Sequence, residues 1–176
     1  WRAGANAFQD LLEPVAGIRT IAALDVEDAT AACVLADAAP QATILAFETS
    51  PEITAPSAPT LQALAEPSLE PTEGAWRSRV NLLLVKRSAL EAIHWLRGQV
   101  DVVVIDGSTA RDADQQLLRA WEPLIRPGGC VLACQLEDDA QGRAVTALDS
   151  ALAGYRKVRP TVLAGFVVWY KPPSKP

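Results

Sequence analysis

VDVVVIDGSTARDADQQLLRAWEPLIRPGGCVLACQ, residues 100–135, decides the fold. Val100 to Ile105 is an apolar, mostly β-branched run broken only by Asp101. Such a run predicts a strand buried on both faces of a parallel sheet. Asp106 closes it, at the carboxyl edge where open α/β sheets bind ligands. Arg111 to Glu122 has helical period, with Ala113, Leu117, Ala120, Trp121 and Leu124 on one side. Arg111, Asp112, Gln115, Gln116 and Arg119 fall on the other. Pro123 and Pro127 end that helix, Gly128-Gly129 supplies a turn with positive φ, and Cys130 to Cys134 forms a second buried strand.

The flanks extend the same alternation. Ala5 to Glu13 predicts a leading helix within residues 1–15, closed by Pro14. Ile18 to Leu24 predicts a first strand, Asp28 to Ala38 a helix, and Ala42 to Phe47 a second strand with Glu48 at its end, a βαβ unit. Residues 49–77 carry Pro51, Pro56, Pro59, Pro67 and Pro71 and read as a long loop or lid. Arg79 to Val85 is a third strand. Ser88 to Arg97 is a helix opened by a Ser88/Glu91 capping box, with Leu90, Ile93 and Leu96 inward. Asp138 or Asp139 caps a helix running to Leu152 and stopped by Gly154. Tyr155–Val158 and Gly165–Tyr170 close the chain as an antiparallel pair.

One domain accounts for all 176 residues. A hydrophobic content of 49 % with 21 % charged residues is that of an ordinary globular protein. The net charge of −5 argues against a nucleic-acid surface, which needs a basic field. Arg77, Arg79, Lys86 and Arg87 form a local basic cluster that reads as a solvated edge. No apolar run reaches the ~20 residues of a membrane helix, and no signal peptide is evident. Cys33, Cys130 and Cys134 lack zinc-ligand spacing and read as buried thiols of a reducing, cytoplasmic protein. A chain that begins at Trp1 and contains no Met reads as a domain of something longer.

A strand ending in VIDG, a helix with Trp near its end, and then LIRPGG and a strand resemble the later motifs of class I S-adenosylmethionine-dependent methyltransferases, closest to the small-molecule O-methyltransferase type. The resemblance covers Gly17 to Lys171. It implies a Rossmann-like α/β fold: a seven-stranded, mostly parallel sheet with a terminal antiparallel hairpin and helices on both faces. It implies S-adenosylmethionine as cofactor if the domain is active. Glu48 matches the acid that accepts hydrogen bonds from the ribose hydroxyls; as a bare strand end it is otherwise a solvent-facing Glu. Asp106 matches the acid beside the acceptor and is the candidate catalytic group and a further cofactor contact.

Four departures accompany the match. No glycine occurs between Gly17 and Gly74, where the family has its glycine-rich cofactor loop. An ungapped alignment puts Leu24 and Asp28 at glycine positions and Ala22 at the acid; a shifted one makes Asp25 the acid. Lys86 stands where the family has an acid for the adenine end, and a Lys cannot accept a hydrogen bond. Cys134 and Gln135 replace the Asp-Asn pair that joins Asp106 around magnesium in the metal-dependent branch, so no metal site is expected. His94, the single histidine, lies in a helix and reads as structural.

Two rival folds compete with this resemblance: spacing rejects the first, and the PGG motif and closing hairpin favour the methyltransferase resemblance over the second, whose missing glycines count equally against both. A receiver domain has one strand between its acidic sites where this chain has two, and its Lys after the fifth strand is replaced by Gln135-Leu136. A nicotinamide-binding domain needs GxGxxG after the first strand. The expectation is a degenerate, non-catalytic methyltransferase-like domain acting as a scaffold or interaction module, with a protein partner, the rest of a longer chain or a second copy. The alternative is an active O-methyltransferase that uses Asp25, Glu48 and Asp106. The apolar segment Phe166–Tyr170 is either core or a docking strand.

Overall fold

In the computed structural model, residues 5–26, 29–48, 80–85, 88–94, 96, 98–106, 112–134, 136, 138–160 and 165–174 are described. The Pro-rich segment, the basic cluster and residues 27 and 28 lie outside them. The helices are α1 (Ala5–Leu12), α2 (Ala29–Ala38), α3 (Ala89–Ala92), α4 (Asp112–Trp121) and α5 (Asp138–Ala151). The strands are β1 (Thr20–Val26), β2 (Thr43–Glu48), β3 (Leu82–Val85), β4 (Val100–Asp106), β5 (Ile125–Cys134), β6 (Arg156–Val158) and β7 (Val167–Tyr170).

The strands form one seven-stranded sheet in the order β3-β2-β1-β4-β5-β7-β6. The first five are parallel, and β7 runs antiparallel to both β5 and β6. Alternation along the strands sorts the core into two layers. Ala22, Leu24, Phe47, Val103, Ile105, Val131 and Trp169 face α3, α4 and α5. Ile21, Ala23, Ile44, Val102, Val104, Leu132 and Val168 face α1 and α2. Helices therefore cover both faces, as the continuous apolar strands require.

Of the two readings of Phe166–Tyr170, core is the one observed. β7 is inserted between β5 and β6, and Phe166 to Trp169 are buried. Phe166 meets Phe8 of α1 edge to face at 5.4 Å, and the Tyr170 hydroxyl donates to the Leu11 carbonyl at 2.9 Å. β6 forms the free edge, with Arg156 and Lys157 exposed on it, a composition that discourages edge-to-edge pairing.

Pro127-Gly128-Gly129 does not lie between a helix and a strand. A 3-10 turn, Glu122–Leu124, ends α4, and β5 then runs from Ile125 straight through the glycines. The register against β4 shifts between Val100 and Val102, a bulge that absorbs the extra residues. Gly128 has φ +77°, as expected from its turn chemistry. Gly129 is needed for a different reason: a Cβ there would sit 2.5 Å from the Asp101 carbonyl oxygen. Gly129→Ala is expected to cost about 3 kcal/mol through overpacking against backbone, read as a lower urea midpoint with unchanged slope.

α3 is shorter than expected; Ile93 and Leu96 pack against the core as expected, and Leu90 does not. The Ser88 hydroxyl accepts from the Leu90 amide at 3.2 Å, and the helix buries Ala89 and Ala92 while Leu90 is half exposed. Trp121 Nε1 donates to the Ala89 carbonyl at 2.9 Å, which ties the indole to the start of α3.

Behind β5 and β7, Glu122 accepts from the Tyr155 hydroxyl (2.8 Å) and from Lys171 Nζ (2.9 Å). The Lys171 bond holds Glu122 below the usual carboxylate range; burial opposes it, and the Tyr155 bond and the Lys171 charge add to it. A lowered folded pKa contributes stability above the unfolded value and loses it as pH falls through the folded one. Stability is therefore expected to drop as pH falls below about 4.3, with a shallower drop in Glu122→Gln, measured by urea denaturation across pH 3 to 6.

Candidate functional site

The chain runs from β1 outward to β2 and β3, then returns across β1 to β4. That reversal places the topological switch point between the carboxyl ends of β1 and β4, where open α/β sheets hold ligands. Asp25 is the penultimate residue of β1, Glu48 ends β2 and Asp106 ends β4. Val26 pairs with Glu48, Leu24 with Ile105 and Asp106 with Cys134. The backbone thus brings all three sequence-predicted acids to one edge, on adjacent strands about 4.8 Å apart. Glu48 and Asp106 flank Asp25 on either side.

The expectation for Leu24 is corrected. β1 runs two residues further than its apolar pattern suggests, because Val26 still pairs with β2. Leu24 is therefore an interior strand residue. It is 2 % exposed and shares a core cluster with Phe47, Val85, Ile105 and Trp121. Ala22 lies in the same cluster. Neither residue belongs to a ligand-facing loop. Between the end of β1 at Val26 and the start of α2 at Ala29, only Glu27 and Asp28 remain.

The other strand ends are apolar. Cys134 is fully buried, and its thiol donates to the Ile105 carbonyl at 3.3 Å. Burial pushes the neighbouring Cys130 thiol up to about 12, a rise that the Arg126 charge only partly offsets. Neither sulfur is placed as a ligand for a hard cation. Among the described residues, no group of three His, Cys, Asp or Glu side chains could hold a metal ion. His94 lies exposed in the turn after α3. Phe47, immediately before Glu48, packs edge to face on Trp121 at 5.3 Å, so one indole ties the end of β2 to the start of α3.

A polar constellation that composition alone does not reveal lies at the opposite, amino edge. Asp101 is 5 % exposed and accepts from the Arg19 and Thr20 amides, both at 2.7 Å, and from Arg126 Nε. Arg126 Nη2 donates in turn to the Ala16 carbonyl. The one signal in the sequence is a carboxylate inside a β-branched run, since a buried acid needs partners. This group locks the starts of β1, β4 and β5. It is far from the ligand-binding edge, and its role is architectural.

A family model described as a methyltransferase domain matches residues 29–133. No curated protein sequence matches the chain. Solved structures share the fold. One is a Staphylococcus aureus protein assigned as a caffeoyl-CoA O-methyltransferase, 12 % identical with a TM-score of 0.64, covering 95 % of this chain and 82 % of that one. A second is the precorrin-6y C5,15-methyltransferase of Geobacter metallireducens, 16 % identical with a TM-score of 0.59 and coverages of 94 % and 89 %. A third is Aeropyrum pernix fibrillarin with natively bound S-adenosyl-L-methionine, 18 % identical with a TM-score of 0.55 and coverages of 94 % and 73 %. Among the described residues, no helix is long and apolar enough to cross a membrane.

Proposed function

Because the chain belongs to the methyltransferase-domain family, we propose that it keeps the family's sheet as a scaffold for protein contacts and does not itself transfer methyl groups. The observation that carries this is the junction between β1 and α2. Two residues, Glu27 and Asp28, make it, and neither is a glycine. A cofactor whose amino-acid end lies against backbone needs bare Cα positions there. The residues present do not fit that end of S-adenosylmethionine: Glu27 and Asp28, two and three positions after Asp25, bring side chains where bare Cα positions are needed, and their carboxylates offer no hydrogen-bond donor to the ligand's own carboxylate. Two further expected acids are also missing, with Lys86 after β3 and Cys134 ending β5.

A second reading has its own support. Leu24 is withdrawn into the core, and an acid stands at or next to the end of each of the three strands around the switch point. On that reading the domain binds S-adenosylmethionine through Glu48 and acts near Asp106 as an O-methyltransferase.

Calorimetric titration separates the two. Under the scaffold reading, S-adenosylmethionine and S-adenosylhomocysteine give no saturable heat up to roughly 1 mM, an affinity weaker than about −4 kcal/mol. Micromolar binding that Glu48→Ala weakens at least about tenfold, the loss of bonds to two buried hydroxyls, would establish the second.

A further inference from the structure

On the amino edge, away from the switch point, a cleft of about 220 Å³ opens between the C-terminal ends of α1 and α2 and the lead-in to β1. Its floor is apolar and buried: Leu12, Val15, Ile18, Ala38 and Ala39. Its rim is polar and exposed, formed by Gln9, Glu13 and Gln41. The volume is below the ~300 Å³ of a drug-sized site, so the cleft suits a ligand of about ten heavy atoms or fewer.

The charge of the cleft is one-sided. Glu13 is the acidic residue among those lining it, and its carboxylate makes no ion pair among the described residues. Both helices present their C-terminal, negative ends there. Asn81 already donates to the Ala36, Ala39 and Ala42 carbonyls, so the α2 end contributes less and Glu13 dominates. The nearby Arg126 guanidinium, bonded to Ala16, is neutralised by its pairing with Asp101. Arg19, exposed at the start of β1, does not line the cleft.

We infer that this cleft is a binding site for a small organic cation, an ammonium group carried on a compact apolar body. The body replaces water over Leu12, Val15 and Ile18, and the ammonium donates to Glu13 and to the side-chain carbonyls of Gln9 and Gln41. The inference goes beyond the scaffold reading and does not depend on whether the carboxyl edge binds a cofactor.

Benzylamine, cationic at neutral pH, and benzyl alcohol, its neutral counterpart of the same shape, are the probes. Each is titrated into the ¹⁵N-labelled protein to roughly 10 mM, the weak range suited to so small a ligand. Benzylamine is expected to shift the amides of Gln9 to Ile18 and Ala38 to Gln41 and to bind about fivefold more tightly than the alcohol, the upper range of an exposed charge pair. In Glu13→Gln, whose exposed side chain is not needed for folding, that ratio falls to about one. No shift in those amides, equal affinity for the two probes, or an unchanged ratio in the variant would each overturn the assignment.

Discussion

Asp101→Ala is expected to lower the unfolding free energy by about 4 kcal/mol, the cost of breaking a buried charge pair from one side. Three donors lose their acceptor at once: the amides of Arg19 and Thr20 and the Arg126 guanidinium. Arg126 is 27 % exposed and recovers part of its hydration, which keeps the loss from being larger. Against a total stability of about 5–15 kcal/mol, the change is large. Asp101→Asn keeps one acceptor oxygen and is expected to lose about 2 kcal/mol. In a double-mutant cycle with Arg126→Gln, the coupling energy should be about 2 kcal/mol. Urea denaturation at neutral pH reads all four proteins. Additive effects would mean that Asp101 serves the two amides alone.

Leu24→Gly is expected to cost about 4 kcal/mol, combining the loss of a fully buried leucine with the weaker strand preference of glycine. The same variant should not create affinity for S-adenosylhomocysteine. The two readouts together distinguish core from plug. A leucine that merely blocked a ligand cleft would be replaced at little cost, and binding would appear. A leucine packed on Phe47, Ile105 and Trp121 leaves a cavity when removed and changes nothing at the carboxyl edge.

The sheet and its helices were legible in the sequence because the strands are continuous β-branched runs and the helices keep a 3.6 period. Val100–Asp106 needed no partner to be recognised, and neither did the closing antiparallel pair. The misreadings share a cause: each depends on a neighbour distant in sequence. β1 extends to Val26 because Glu48 is there to pair with it. Gly129 lies within a strand because the Asp101 carbonyl leaves no room for a Cβ. α3 turns Ala89 and Ala92 inward and Leu90 outward, and the Ala89 carbonyl meets Trp121, 32 residues further on.

The candidate site divides in the same way. The acids at the strand ends followed from counting along apolar runs, since side-chain chemistry and strand length are both local. The register that sets Asp25, Glu48 and Asp106 on adjacent strands required the pairing itself. The buried Asp101 was visible only as an interruption, and its three donors come from β1 and β5, whose proximity the sequence does not encode locally.

The central claim is that a strand-to-helix junction made of Glu27 and Asp28 leaves no seat for the cofactor's amino-acid end. Crystals grown with saturating S-adenosylhomocysteine test it most directly. The account predicts empty density above Asp25 to Ala29 and an unchanged carboxyl edge. A ligand resolved there, with its ribose hydroxyls on Glu48, would contradict it.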